Sequence, residues 1–192
     1  MNVVIFGPPG AGKGTQSNLI VKNFKLYQIS TGEILRKEVN DNTELGLKIK
    51  TIINLGNLVS DGIVGNLIEK YVSNSIFKNR LIFDGYPRNL NQAKNLEILL
   101  NKYNQKIHIA LKLSVTLETV KKRISKRKNL EKRSDDNEII AIKRYKNYEN
   151  SIKPVIDFYK QSNLLREVNG EASVTEISDE ISGLIVAIKG WL

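Results

Sequence analysis

A tetrad of apolar residues, Val3-Val4-Ile5-Phe6, runs directly into Gly7-Pro8-Pro9-Gly10-Ala11-Gly12-Lys13-Gly14-Thr15 and then into a helix-like stretch over residues 16–23. Strand, glycine-rich turn and helix in immediate succession confine the chain to α/β architectures. In this context the turn is a phosphate-binding loop: its backbone amides point inward at a polyphosphate, and the helix N-terminus behind them adds a favourable dipole. Lys13 would set a positive charge against the β- and γ-phosphates. The common form of this loop has Ser or Thr directly after the lysine; here Gly14 intervenes and the hydroxyl arrives at Thr15. The competing reading is a glycine-rich strand–helix connection that binds nothing, and the glycines, the lysine and both flanks weigh against it.

The rest of the chain alternates short apolar runs with longer helical patterns, the mark of a parallel sheet. Strands are expected at residues 2–6, 27–30, 81–83, 107–113 and 164–168. Helices are expected at 32–40, 45–55, 60–77, 89–103, 117–125, 138–161 and 174–191. Ile63, Leu67 and Val72 form one apolar stripe in the third of these, and Pro154 should kink the long penultimate one. With 192 residues and no repeat or long linker, the expectation is one domain. Its fold class is α/β, a doubly wound parallel five-stranded sheet flanked by helices, of P-loop NTPase type. Ligands of such sheets bind outside the carboxyl ends of the strands.

Composition narrows the compartment and partners. There is no cysteine, which excludes disulfides and cysteine-ligated zinc and fits a reducing compartment. No stretch has the length and apolarity of a membrane span, and no charged n-region precedes an apolar h-region, so a cytoplasmic protein with no membrane partner is expected. The net charge of +10 admits three readings: nucleic-acid binding, a basic cleft for small polyanions, or a Lys- and Asn-rich composition that solvates the surface. The lysines are scattered, and the dense stretch from Lys121-Lys122-Arg123 to Arg127-Lys128 lacks interleaved aromatics. Composition therefore accounts for the lysines and function for the clustered arginines, with no nucleic-acid partner expected.

A second motif, Asp84-Gly85-Tyr86-Pro87-Arg88, follows the apolar run Leu81-Ile82-Phe83. A carboxylate at the carboxyl end of a strand in a P-loop fold is placed to hold Mg²⁺ through water. Gly85 and Pro87 turn the chain, and Arg88 projects into the same crevice; taken alone, the segment could equally be a plain turn.

Together, Gly7 to Gln16, Ser30-Thr31-Gly32-Glu33 and Asp84 to Arg88 resemble the adenylate kinase family in order and interval. The resemblance continues through Arg123-Ile124-Ser125-Lys126-Arg127, Arg133-Ser134-Asp135-Asp136 and Arg144, nearly the whole chain. These motifs are shared by nucleoside monophosphate kinases; the adenylate form is distinguished mainly by Gln92, four residues after Arg88, which in this family reads the adenine of AMP. The alternative is a UMP/CMP kinase or another monophosphate kinase, and Asn89 and Asn91 are also present.

The resemblance implies the following roles. Gly10, Ala11, Gly12, Lys13, Gly14 and Thr15 would hold ATP phosphates, Arg123 would lie against the ATP adenine, Arg127 would contact ATP phosphates, and Ala172 would offer a carbonyl to the adenine. Thr31, Arg36, Asn57, Leu58, Val59, Gly85, Tyr86, Pro87 and Gln92 would line the AMP site, with Arg88 on the AMP phosphate. Arg133 and Arg144 would clamp the transferred group, steadied by Asp135 and Asp136, and Asp84 would hold Mg²⁺ through water. It also implies a core of residues 1–29, 60–126 and 134–192, an AMP-binding helical insert at 30–59 and a short lid at 127–133, without the long zinc-bearing lid. ATP, AMP and ADP would be the small-molecule partners, Mg²⁺ the cofactor and a monomer the assembly. The chain departs from the pattern at Gln28 for His, Glu33 for Asp and Asn57 for Lys, none of which removes a phosphate ligand.

Phosphoryl transfer between nucleotides needs positioning and charge neutralisation more than covalent chemistry. The anionic AMP phosphate would attack without a general base, in keeping with a chain that has one histidine and no cysteine. His108 falls outside every motif and reads as structural, as do Arg80 and Arg166 at the surface; Tyr145, Tyr148 and Tyr159 read as helix packing. Gly32, Gly46 and Gly56 would either loosen the insert or simply end helices. A P-loop nucleic-acid binder and a nucleotide sensor without turnover are the rivals from other classes.

Overall fold

The computed structural model describes residues 1–131 and 138–188, with residues 128–131 as backbone alone. Five strands, β1 (Val3–Phe6), β2 (Tyr27–Ser30), β3 (Leu81–Asp84), β4 (Ile109–Ser114) and β5 (Leu165–Asn169), form one sheet in the order β2-β3-β1-β4-β5. Every pairing is parallel. Parallel pairs need crossovers, which here are helical: α1 (Lys13–Phe24), α2 (Thr31–Asn40), α3 (Glu44–Asn54), α4 (Asp61–Val72), α5 (Leu90–Lys102), α6 (Leu117–Glu131), α7 (Glu138–Gln161) and α8 (Val174–Val186). The chain builds outward to β2 and β3 on one side of β1, then crosses to β4 and β5 on the other. The turn after β1 therefore lies at the point where the winding reverses, with the end of β3 beside it.

A sheet covered on both faces buries both sides of each strand. In β1, Val4 and Phe6 point into one core with Ile29, Phe83 and Ala110, while Val3 and Ile5 point into the other with Ile82, Leu111 and Leu113. The first core is closed by α4, α5 and α7, through side chains such as Ile68, Leu96 and Val155; the second by α1 and α8, through Ile20, Ile177 and Ile181. Each such side chain contributes on the order of 1.5–3 kcal/mol by leaving water. The rear edge of the sheet is held by polar groups. Buried Asn2 accepts from the Leu81 amide at 3.1 Å and donates to the Lys106 carbonyl at 3.1 Å. Its own amide donates to Nδ1 of His108 at 3.0 Å, so an imidazole replaces a strand carbonyl and regular pairing of β4 starts at Ile109 rather than at residue 107.

The elements stand where alternation and periodicity place them, with differences at ends. The helix expected over 60–77 stops at Val72, and Ser75–Phe77 is a 3-10 turn, because the Asn74 side chain takes the Ile76 amide at 3.0 Å. β5 is shifted one residue later, to Leu165–Asn169. α6 continues past Ser125 to Glu131, and α7 stays helical across Pro154. α8 begins with a capping box between Ser173 and Glu176 and ends at Val186, and residues 189–191 of the expected helix lie outside the described residues.

Gly46 does not terminate a helix at its C-terminal end. It lies in the first turn of α3, where Thr43 caps its amide at 3.0 Å, and α2 presses on it so closely that a Cβ would sit 1.9 Å from the Glu38 carbonyl oxygen. Gly46→Ala should therefore lower stability by about 1–3 kcal/mol through forced separation of α2 and α3. Gly65→Ala in α4, where nothing lies within 4 Å, should be neutral or stabilising by up to about 1 kcal/mol. Thermal and urea denaturation of the two variants side by side checks the contrast.

Candidate active site

The turn between β1 and α1 depends on glycine at Gly10 and Gly12, whose φ values are +77° and +96°. Gly12 is also the N-cap of α1, and Ala11 is buried beneath the loop, its amide donating to the Pro8 carbonyl at 3.1 Å. The Lys13 ammonium folds back over the loop, donating to the carbonyls of Gly7 at 2.7 Å and Pro8 at 3.0 Å. Burial pushes its pKa from 10.5 down to about 8; the nearby Asp84 charge opposes the shift, and Arg88, Arg144 and Arg127 reinforce it. Lys13, Asp84 and these arginines thus share one electrostatic neighbourhood.

β3 delivers Asp84 to this place because its register with β1 and β2 sets it opposite Ile5 and Ser30. The carboxylate is 7% exposed; Gln28 donates to its Oδ2 at 3.0 Å, and a Cβ on Gly14 would come within 4.0 Å of the same oxygen. The buried Thr31 hydroxyl donates to the Gly85 carbonyl at 3.0 Å, joining the start of α2 to the end of β3. After Gly85 the Tyr86–Pro87 peptide is cis, and the Arg88 side chain returns to donate from Nε to the Gly85 carbonyl at 2.6 Å.

A cleft partly open to solvent is lined by Gly7, Pro9 and Lys13. Of the residues expected around a nucleoside monophosphate, Thr31, Arg36, Asn57, Leu58, Val59, Gly85, Pro87, Arg88, Gln92 and Arg144 line it. Tyr86 does not: it is 2% exposed and packs in the first core, where burial and then the Asp61 charge push its phenol up to about 12. One wall comes from α7, against which the end of α3 rests. Lys143 donates to the Leu55 carbonyl at 2.9 Å, and a Cβ on Gly56 would lie 2.9 Å from Ile140 Cγ2.

On the other side of the phosphate loop, Arg123 bridges two backbone segments, donating to the carbonyls of Ala11 at 3.2 Å and Gly170 at 2.8 Å. Gly170 is closed in, since a Cβ there would meet Val115 at 2.6 Å. Ala172 packs at the edge of the second core, and Thr15 is exposed. Arg127 lies near enough to Lys13 to influence its charge. Arg133, Asp135 and Asp136 lie outside the described residues.

Several residues in or behind the cleft escaped the sequence reading. Gln28, noted only as a departure, is the side chain that holds Asp84. Asp61 holds Gln92 and Asn89. Asn147, Tyr148, Ser151 and Ile152 join Arg144 along one face of α7; their spacing of three and four residues was the available signal. Tyr148 thus lines the cleft rather than serving only in packing, and its buried hydroxyl has no hydrogen-bond partner among the described residues. Tyr145 and Tyr159 do pack, against the α6–α7 contact and against Phe6 respectively. Arg80 donates to the Lys25 carbonyl and Arg166 to the Leu165 carbonyl, away from the cleft.

The family profile described as "Adenylate kinase" matches residues 5–164. An adenylate kinase of Pelagibacter ubique is 40% identical, with 96% of this chain and 99% of that protein aligned. One from Xanthomonas campestris pv. campestris is 41% identical over 94% of this chain and 97% of its own length. One from Porphyromonas gingivalis is 38% identical over 96% and 95%.

Lys13 gives a pH test that needs no substrate. A base whose folded pKa is depressed opposes folding while it is charged, so the penalty is present in full below about 8 and fades as pH rises towards 10.5. Lys13→Met should therefore melt at a higher temperature than wild type at pH 7, with the gap narrowing by pH 10. Melting curves at both pH values measure it; a lower melting temperature at pH 7 would contradict this account of Lys13.

Proposed function

The chain belongs to the adenylate kinase family, and we propose that it transfers the terminal phosphoryl group of ATP to AMP, reversibly, giving two ADP. The observation that carries this reading is one cleft lined both by Lys13 of the loop and by Gln92, Arg36 and Arg88. A site of this form accepts a monophosphate whose phosphate faces a second, polyphosphate-bearing nucleotide. The proposed division of labour is a core of residues 1–29, 60–126 and 134–192, an insert at 30–59 that covers the monophosphate, and a short lid at 127–133.

Phosphoryl transfer of this kind requires two polyanions brought into line, with their repulsion cancelled. On the proposed reading the loop amides and Lys13 hold the donor phosphates, and Lys13 exchanges the carbonyls of Gly7 and Pro8 for phosphate oxygens. Arg88 leaves the Gly85 carbonyl to grip the acceptor phosphate in two-toothed fashion. Arg127 and Arg144, with Arg133, stand over the group in flight. Arg123 and the Ala172 carbonyl frame the donor base. The attacking oxygen is already ionised, so no residue has to remove a proton. Contact between the insert and α7 at Leu55 and Lys143 supports exclusion of water, the competing nucleophile.

Asp84 suits Mg²⁺ by its chemistry: an acceptor-only carboxylate, nearly buried, beside the phosphate loop. No cluster of three or more His, Asp or Glu is present among the described residues, so one carboxylate with retained water is the fitting mode. When bound with ATP, Mg²⁺ supplies neutralisation of the phosphate oxygens.

The experiment is ADP formation from Mg·ATP with AMP, CMP, UMP and GMP in turn. AMP should lead in kcat/KM; CMP or UMP ahead of it severalfold would move the chain to the pyrimidine-specific kinases. Lys13→Met should reduce transfer by on the order of 10³-fold or more while retaining the fold. Arg88→Lys should lower kcat/KM for AMP by about 10²-fold, since a point charge replaces a planar fork, with KM for ATP little changed.

A further inference from the structure

We infer that Asp61 fixes which way round Gln92 presents its amide, and so makes the monophosphate pocket select the adenine edge over the oxo-purine edge. The inference rests on the reading above that Gln92 faces the base.

A glutamine amide has a donating end and an accepting end of nearly equal size, so shape alone does not settle its orientation. Here chemistry settles it at both ends. Gln92 Nε2 lies 2.6 Å from Asp61 Oδ1, and a carboxylate can only accept. Gln92 Oε1 accepts the Arg88 amide at 2.7 Å, and a backbone N–H can only donate. Turning the amide over would set its carbonyl against the carboxylate and its NH₂ against an N–H, two repulsive contacts in a residue only 2% exposed. The carboxylate is itself held: Asn89 Nδ2 donates to both of its oxygens, at 3.1 and 3.2 Å, while Asn89 Oδ1 accepts the Gln92 amide at 2.8 Å. The first residue of α4 thereby sets a side chain in the first turn of α5.

After these bonds the Gln92 amide still has one N–H and one oxygen lone pair to offer to the cleft it lines. Adenine meets that pair with N1 as acceptor and the 6-amino group as donor. Hypoxanthine and guanine carry the opposite pair, N1–H and O6. Only a side chain prevented from turning over can tell the two edges apart, and Asp61 supplies one of the two restraints. A site whose polar groups are left mismatched rejects a ligand strongly, whereas one that adapts does not.

Inosine monophosphate differs from AMP only at this edge and is the diagnostic substrate. Steady-state kinetics of the full chain would compare AMP with inosine monophosphate for wild type, Asp61→Asn, Asp61→Ser and Gln92→Leu. Neither Asn nor Ser at this position imposes an orientation, so the AMP preference should fall at least about tenfold in each folded variant. The loss should come mainly through KM for AMP, with KM for ATP and kcat within about twofold of wild type. An equal drop for both monophosphates with an unchanged ratio would mark Asp61 as merely structural and overturn the inference, as would a wild-type ratio in whichever variant folds. Gln92→Leu separates the two layers. If it abolishes the preference while the Asp61 variants keep it, only the inference about Asp61 fails; if it too keeps the preference, Gln92 does not read the base.

Discussion

Positive charges gathered around one cleft repel one another, and the arrangement of this site answers that constraint. Lys13 is depressed first by burial and then by Arg88, Arg144 and Arg127. The molecule holds these groups together by lending them oxygen atoms: the carbonyls of Gly7 and Pro8 to Lys13, and the Gly85 carbonyl to Arg88. Arg123 takes the carbonyls of Ala11 and Gly170. Backbone carbonyls are rigidly placed, so the donors they engage are held in position. On the proposed reading, a phosphate oxygen that replaces such a carbonyl brings a full negative charge to the same donor, and the exchange favours the anion.

The sheet explains why these carbonyls are where they are. β1 and β3 are neighbours with Ile5 opposite Asp84, so the two motif-bearing turns leave the sheet side by side. The alternation Val3/Ile5 against Val4/Phe6 anchors β1 in both cores and leaves its terminal loop no freedom to shift register.

Much of this was legible in the sequence because the signals were local. The apolar tetrad before Gly7, the run before Asp84 and the helical periods between them fix element type, and the glycines that require positive φ at 10 and 12 mark the loop. What escaped was set by contacts between segments far apart in the chain. Gln28 meets Asp84 only because β2 pairs with β3, and Asp61 meets Gln92 only because α4 packs beside α5. Gly46 gave no local sign that a neighbouring helix would press on it. Helix ends failed for a related reason: a single side chain, Asn74, outcompetes the helical amide pattern after Val72. Tyr86 sits within a motif, yet its side chain is buried in the first core, where its neighbours come from distant segments.

The Asn2–His108 pair at the rear of the sheet bears on how the molecule responds to acidity. The chain's one imidazole is committed to an amide there, and its pKa is held below the ordinary histidine value, first by burial. The side chain most suited to buffering near neutrality is thus occupied at the far end of the strands from the candidate site. On the proposed reading, sensitivity to neutral pH then falls to the second ionisation of the substrates' own phosphates, near 6 for a phosphate monoester. The protonation that matters is carried in large part by the cargo.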